Sequence, residues 1–225
     1  MSIKKENTPA MFDEIANTYD SLNHILSFGL DKKWRKKFIK NLPAKKYETI
    51  VDIASGTGDL LVNLQTLNAT NYFALDPAEN MLNIAKIKVP NANFIICNAE
   101  KIPLPDNSCN LVTISFGIRN FSNLDAAFAE IHRILRTDGI VSIMEFSQPR
   151  FFLFRFGFII YLKLILPIVG RIVSNNKSAY KYLQSSIFDF AKNVDVFKLL
   201  EANKLTKINE KRMLFGVVRI YVSGK

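Results

Sequence analysis

Between residues 47 and 146 short apolar runs alternate with longer stretches in which apolar residues recur every three or four positions. The runs at 49–54, 72–75, 94–97, 111–116 and 140–146 have strand length and little internal polarity, which predicts strands covered on both faces. Strand and helix in alternation build βαβ units, hence a mostly parallel sheet with right-handed crossovers. Ligands collect beyond the carboxyl ends of such strands, near the point where strand order reverses. After 146 a helix is expected near 194–202. Two further strands follow, at 205–211 and 216–222, and the four residues between them suit a C-terminal antiparallel hairpin. The expectation is a Rossmann-like α/β fold with a seven-stranded, mostly parallel sheet and helices on both faces, in one domain spanning 1–225.

Two regions depart from this texture. In Asp31-Lys32-Lys33-Trp34-Arg35-Lys36-Lys37-Phe38-Ile39-Lys40 the aromatics lie four apart on one helical face and the cations take the rest, within an N-terminal helical cap at 1–41. This is either a solvated surface helix or a contact for anionic lipid headgroups. Residues 150–173 are mostly Phe, Ile and Leu, broken by Arg155, Lys163, Pro167 and Arg171, so no charge-free run nears the ~20 residues that span a bilayer. They belong to an apolar helical lid inserted at 147–190, covering the core, the entrance for a greasy substrate, or both.

A net charge of +10 favours an anionic partner, whether nucleic acid, a membrane surface or a small substrate, without choosing among them. Cys97 and Cys109 lack metal-site spacing and are too few for a disulfide framework, which fits free thiols in a reducing compartment. The opening residues carry no apolar stretch after their charges, so a cytoplasmic location is expected, with peripheral contact at the inner face of the membrane. His24 and His132 are isolated, and no His, Cys and Asp cluster has ligand spacing, so no metal is expected.

The chemistry concentrates at strand ends. Val51-Asp52-Ile53-Ala54-Ser55-Gly56-Thr57-Gly58-Asp59-Leu60 places a Gly-x-Gly turn between a strand and a helix, letting a ligand approach backbone N–H groups. It lacks the third glycine of the dinucleotide fingerprint and the Gly-Lys-Ser/Thr of a phosphate loop. Asp76 ends the next strand, where a carboxylate can accept from both hydroxyls of a ribose. Asn98 ends the third, where an amide can read an adenine edge, and Ser115 closes the fourth. Turn, acid and amide together point to a nucleoside-containing ligand.

In this order, Asp52 to Gly58, Leu75-Asp76, Asn98-Ala99-Glu100 and Arg133-Ile134-Leu135-Arg136-Thr137-Asp138-Gly139 resemble a class I S-adenosylmethionine-dependent methyltransferase. Phe12-Asp13-Glu14-Ile15-Ala16-Asn17-Thr18-Tyr19-Asp20, Ser27-Phe28-Gly29, Trp34-Arg35, Ile114-Ser115-Phe116-Gly117-Ile118-Arg119-Asn120 and Glu145-Phe146-Ser147-Gln148-Pro149 narrow the resemblance to the ubiquinone/menaquinone biosynthesis C-methyltransferase family. The resemblance implies S-adenosyl-L-methionine held by Asp52, Gly56, Thr57, Gly58, Asp76, Asn98, Ala99 and Ser115. It also implies a reduced, prenylated quinol substrate, with Arg119 and Asn120 at the reacting ring. Two positions depart from the family: Ser55 stands where glycine is usual, and Tyr221 where relatives often carry His.

Methylating a ring carbon needs an electron-rich ring, so the hydroxyl must lose its proton. Arg119 stays protonated and is suited to stabilise the oxyanion, with Asn120 orienting a water that carries the proton away. A competing reading is that Arg119 only pairs with a carboxylate. The wider alternatives are methylation of another small aromatic or lipid, of a nucleic acid, or a non-catalytic module with this fold. The Asn/Asp-Pro-Pro-aromatic motif usual for amino methylation of bases is replaced after strand four by Ser115-Phe116-Gly117, so no nucleic acid is expected as partner. Naphthoquinol and benzoquinol, tail length and oligomeric state are not readable.

Overall fold

The computed structural model describes residues 7–165 and 177–225; residues 166–173 of the apolar segment, 174–176, and the first six residues of the cap lie outside these. Seven strands form one sheet in the order β3-β2-β1-β4-β5-β7-β6: β1 (Thr49–Ile53), β2 (Asn71–Asp76), β3 (Asn93–Ile96), β4 (Cys109–Ser115), β5 (Leu135–Phe146), β6 (Thr206–Met213) and β7 (Val218–Gly224). The first five are parallel, and β7 runs antiparallel between β5 and β6. Strand order reverses between β1 and β4, so their carboxyl ends flank the crevice where ligands of such folds bind.

Side-chain alternation divides the core. Val51 and Ile53 of β1, Val112 and Ile114 of β4, and Val141 and Ile143 of β5 face one layer, with helices α5 (Leu124–Ile134) and α8 (Val196–Ala202). Ile50, Leu111, Ile140 and Met144 face the other, with α2 (Leu30–Lys40) and α3 (Asp59–Leu64). Trp34 and Phe38 are the buried aromatics of α2, and its lysines are exposed. Helix α1 (Thr8–Leu26) lies against α4 (Glu79–Lys88), while α6 (Phe152–Ile160), a π-helical turn (Tyr161–Ile165) and α7 (Lys177–Asn193) supply the described parts of the lid.

Boundaries differ from the sequence pattern in one informative place. The amphipathic pattern of α5 reads on into the motif Arg133 to Gly139, yet α5 stops at Ile134 and Leu135 already pairs with Cys109, before the ladder resumes at Leu111 with Ile140. Leu135 is fully buried. Its burial beside β4 outweighs continuing an amphipathic helix into the polar stretch that follows. The hairpin also turns later than its spacing suggests, through a 3-10 turn at Leu214–Gly216.

Candidate active site

Two strand ends meet at the switch point, and both carry backbone strain. Ala54 after β1 and Phe116 after β4 are left-handed, at φ 52° and 56°, a region that costs an L-residue about 1–2 kcal/mol. Residues held this way against their preference cluster at functional sites. Gly117 is what lets the two loops touch: a Cβ there would lie 2.5 Å from the Cβ of Ala54. Ser55, in the usual glycine position, avoids a positive φ because Ala54 and Gly56 on either side take it.

A first cavity, of about 520 Å³, lies over the ends of β1, β2 and β4. Asp76 is oriented in its wall by two backbone donors: Gly56 N–H to Oδ2 at 2.8 Å and Ala78 N–H to Oδ1 at 2.9 Å. Each oxygen retains a lone pair for a ligand hydroxyl. Asn98, Ala99, Ser115 and Asn120 also line this cavity. Gly56, left-handed at φ 56°, has open space where a Cβ would sit, so its backbone is accessible to a ligand.

A second cavity, of about 460 Å³, shares Tyr19, Ala54, Gly56, Ser115 and Phe116 with the first and leads away beneath the lid. One aromatic series forms much of its wall. Trp34, Phe116, Phe146 and Phe158 follow one another with ring centroids 6.0, 4.7 and 6.4 Å apart. Asp52, Thr57 and Arg119 line it too. Gly58 faces neither cavity; it caps α3 with a left-handed backbone.

Arg119 is 4% exposed and Glu145 completely buried. Arg119 Nη1 donates to both oxygens of Glu145, at 3.1 and 3.2 Å, and to the carbonyl of Phe116, while its Nε has no partner. Burial pushes the Glu145 carboxyl up and the adjacent guanidinium opposes this. The two signature neighbours diverge: Arg119 lines the second cavity and Asn120 the first.

Helix α1 covers both cavities. Asp20 accepts from the Thr57 hydroxyl and pairs with Lys88 Nζ at 2.6 Å; Lys88 also pairs with Asp59, and Arg35 joins Asp59 to Asp31. His24 holds Asp31 through Nδ1 at 3.0 Å and lines neither cavity. His132 lies on α5 and Tyr221 packs edge-on to Phe197, both outside the cavities. Among the described residues no cluster could hold a metal ion.

The whole chain, residues 1–225, matches the model of the ubiE/COQ5 methyltransferase family. The chain belongs to the ubiE/COQ5 methyltransferase family. It is 39% identical to the ubiquinone/menaquinone biosynthesis C-methyltransferase UbiE of Campylobacter jejuni, covering 99% of each chain. To the demethylmenaquinone methyltransferase of Bacteroides fragilis it is 33% identical, over 99% of this chain and 94% of that one. A Thermotoga maritima S-adenosylmethionine-dependent methyltransferase shares the fold with TM-score 0.63 at 17% identity, over 96% and 98% of the chains. This family member is accordingly an S-adenosylmethionine-dependent methyltransferase.

Two buried carboxylates, Asp76 in the first cavity and Asp52 in the second, suit a cationic ligand lying where the cavities join. Burial pushes Asp52 up to about 7, against the hydroxyl of Thr113, and Asp76 up to about 6, against its two backbone donors. A ligand bearing a sulfonium and an ammonium favours the ionised carboxylates. Cofactor affinity is therefore expected to rise with pH, by up to about tenfold per unit per group below these values, and to level off above about 7.5. In the empty protein the sign is opposite: a raised carboxyl contributes stability below about 4 that is lost as pH rises through 6 to 7. Calorimetric titrations between pH 5.5 and 8.5 measure this, and a flat affinity profile would remove both carboxylates from the binding site.

Glu145, Tyr182, Asp20 and Lys88 had no assigned role in the sequence. Glu145 carried a signal, being a lone charge in the buried apolar run 140–146. Tyr182 and Lys88 carried none, since a Tyr or Lys on an amphipathic helix is ordinary.

Proposed function

We propose that this enzyme transfers a methyl group to a ring carbon of a reduced, prenylated quinol, at the demethylmenaquinol step, the benzoquinol step of ubiquinone synthesis, or both, in keeping with its relatives named ubiquinone/menaquinone biosynthesis C-methyltransferase and demethylmenaquinone methyltransferase. The observation that carries the reading is the shared wall of the two cavities. A polar cavity suited to a nucleoside meets an apolar, aromatic-lined one at Ala54, Ser115 and Phe116, so an aromatic ring and a sulfonium methyl can face each other there.

The bound cofactor supplies an electrophilic methyl on sulfur. In this reading Asp76 holds the ribose, Asn98 and Ala99 border the adenine, and Asp52, Gly56, Thr57 and Ser115 border the methionine end. The ring stacks along Phe116 and Phe146, and Arg119, anchored through Nη1, retains an unpaired Nε–H for the oxyanion of the quinol. Loss of the hydroxyl proton places charge on the neighbouring carbon; the new carbon–carbon bond forms there as the methyl–sulfur bond breaks, the ring carbon then gives up its proton to restore aromaticity, and the oxygen is reprotonated, so one proton is released overall. Positioning the two partners in line accounts for much of the remaining acceleration. The test is incorporation of labelled methyl into a reduced, short-tailed quinol; absence of label on a ring carbon would overturn the assignment.

The tail of such a substrate lies in lipid, and the lid supports contact with it. Helix α6 has no buried residue, and Phe151, Phe152, Leu153 and Phe156 are exposed beside the second cavity's mouth. Phe215 of the hairpin stacks on Phe154 at 3.8 Å, both exposed. Lys32, Lys33, Lys36, Lys37 and Lys40 on α2 add cations for anionic headgroups. Among the described residues no helix is long and apolar enough to cross a membrane. Co-flotation with anionic liposomes at low salt is expected, weakened by salt and by Phe151→Ser with Phe152→Ser. Failure of the folded enzyme to float would leave α6 as a cover only.

A further inference from the structure

We infer that Tyr182 of α7 is a positioning residue for the reaction: it fixes the amide of Asn120 and so makes the catalytic signature depend on the docking of α7 against α1. The Tyr182 hydroxyl donates to Asn120 Oδ1 at 3.0 Å, and Thr8 Oγ1, at the start of α1, donates to Tyr182 Oη at 3.5 Å. The direction of this chain matters. Oδ1 can only accept, so the tyrosine proton is committed to it and Tyr182 Oη is left to accept from Thr8; an amide whose oxygen is engaged has its NH₂ as the group left for the cofactor cavity. Three separate elements therefore converge on one side chain: the beginning of α1, the middle of α7 and the turn at Ile118–Asn120 that follows β4.

Packing alone does not require the hydroxyl. Tyr182 is 8% exposed and its ring lies with Met11 and Ala179 in a small apolar cluster under Phe12 and Ile15, where phenylalanine would fit as well. A buried phenol must satisfy its O–H, and this one does so on the residue next to Arg119 rather than on a nearby backbone carbonyl. Without the hydroxyl the amide can turn over, presenting an acceptor where the site has a donor. The restraint is made only where α7 docks on α1, so these two helices do more than shield the site from water.

The inference rests on the quinol methylation proposed above, and the test separates the two. Single-turnover rates at saturating cofactor with a reduced, short-tailed quinol are compared for the wild type, Tyr182→Phe, Asn120→Ala and the double variant, with cofactor affinity from calorimetry. Tyr182→Phe is expected to slow transfer roughly tenfold while leaving cofactor affinity within about threefold, the loss of one neutral hydrogen bond acting on orientation. In the Asn120→Ala background the same change is expected to cost nothing further. Equal losses in both backgrounds, or none in either, would overturn the inference. Failure of the wild type to methylate the quinol would sink the substrate assignment alone. In that case hydrogen exchange of the Asn120 side-chain amide in the cofactor-bound enzyme still decides: protected in the wild type and accelerated in Tyr182→Phe supports positioning, and equal rates refute it.

Discussion

Glu145→Gln is expected to destabilise the enzyme by about 3–5 kcal/mol, the usual consequence of removing one partner from a buried ion pair. For a chain of this size that corresponds to a fall of roughly 6–20 °C in the thermal midpoint. The reason is an asymmetry between the partners. Arg119 is 4% exposed and cannot shed its proton, so without Glu145 it remains a buried, uncompensated cation. Glu145, already pushed up by burial, can take a proton if Arg119 is lost. Arg119→Gln should therefore destabilise the fold distinctly less than Glu145→Gln. Equal midpoints for the two variants, measured by calorimetry near pH 7, would show that the pair is not the uncompensated-charge problem its geometry indicates.

The corresponding effect on chemistry runs the other way. Arg119→Gln is expected to lower kcat by 10²–10³, the order found on removing one oxyanion-stabilising donor, while cofactor affinity stays near that of the wild type. Arg119→Lys keeps the charge but, with one nitrogen, cannot hold Glu145 and the Phe116 carbonyl as Nη1 does and also place a second donor where Nε lies, so it should retain only part of the activity. Measuring cofactor affinity beside single-turnover methylation separates two roles. Normal affinity with wild-type turnover in Arg119→Gln would end the oxyanion proposal. Loss of affinity as well would mean that Arg119 acts by holding Phe116, whose ring borders both cavities.

Much of the candidate site's framework was legible because strand ends are set by local pattern. The run ending at Ile53 and the acid at Asp76 lie in β1 and β2, and their order alone brings the Gly56 turn beside the Asp76 carboxylate. The aromatic spacing of Trp34 and Phe38 fixed which face of α2 would be buried. Where local pattern competed with tertiary burial it failed: Leu135 looks like helix and is strand, because its side chain finds a better place beside Cys109.

The amino-acid sequence by itself determined the α/β alternation, the strand ends that border the crevice and the family, since these depend on periodicity and on motifs contiguous in the chain. Only the tertiary structure decided which groups pair across it. Arg119 meets Glu145 26 residues away, Thr57 meets Asp20 37 residues away, and Asn120 meets Tyr182 62 residues away. No periodicity encodes such partners, because each contact is made by elements whose relative placement is settled by burying the two faces of the sheet and closing the helical cover. The division of one crevice into a polar and an apolar cavity is likewise a property of that packing, set where left-handed Ala54 and Phe116 bring two loops together over Gly117.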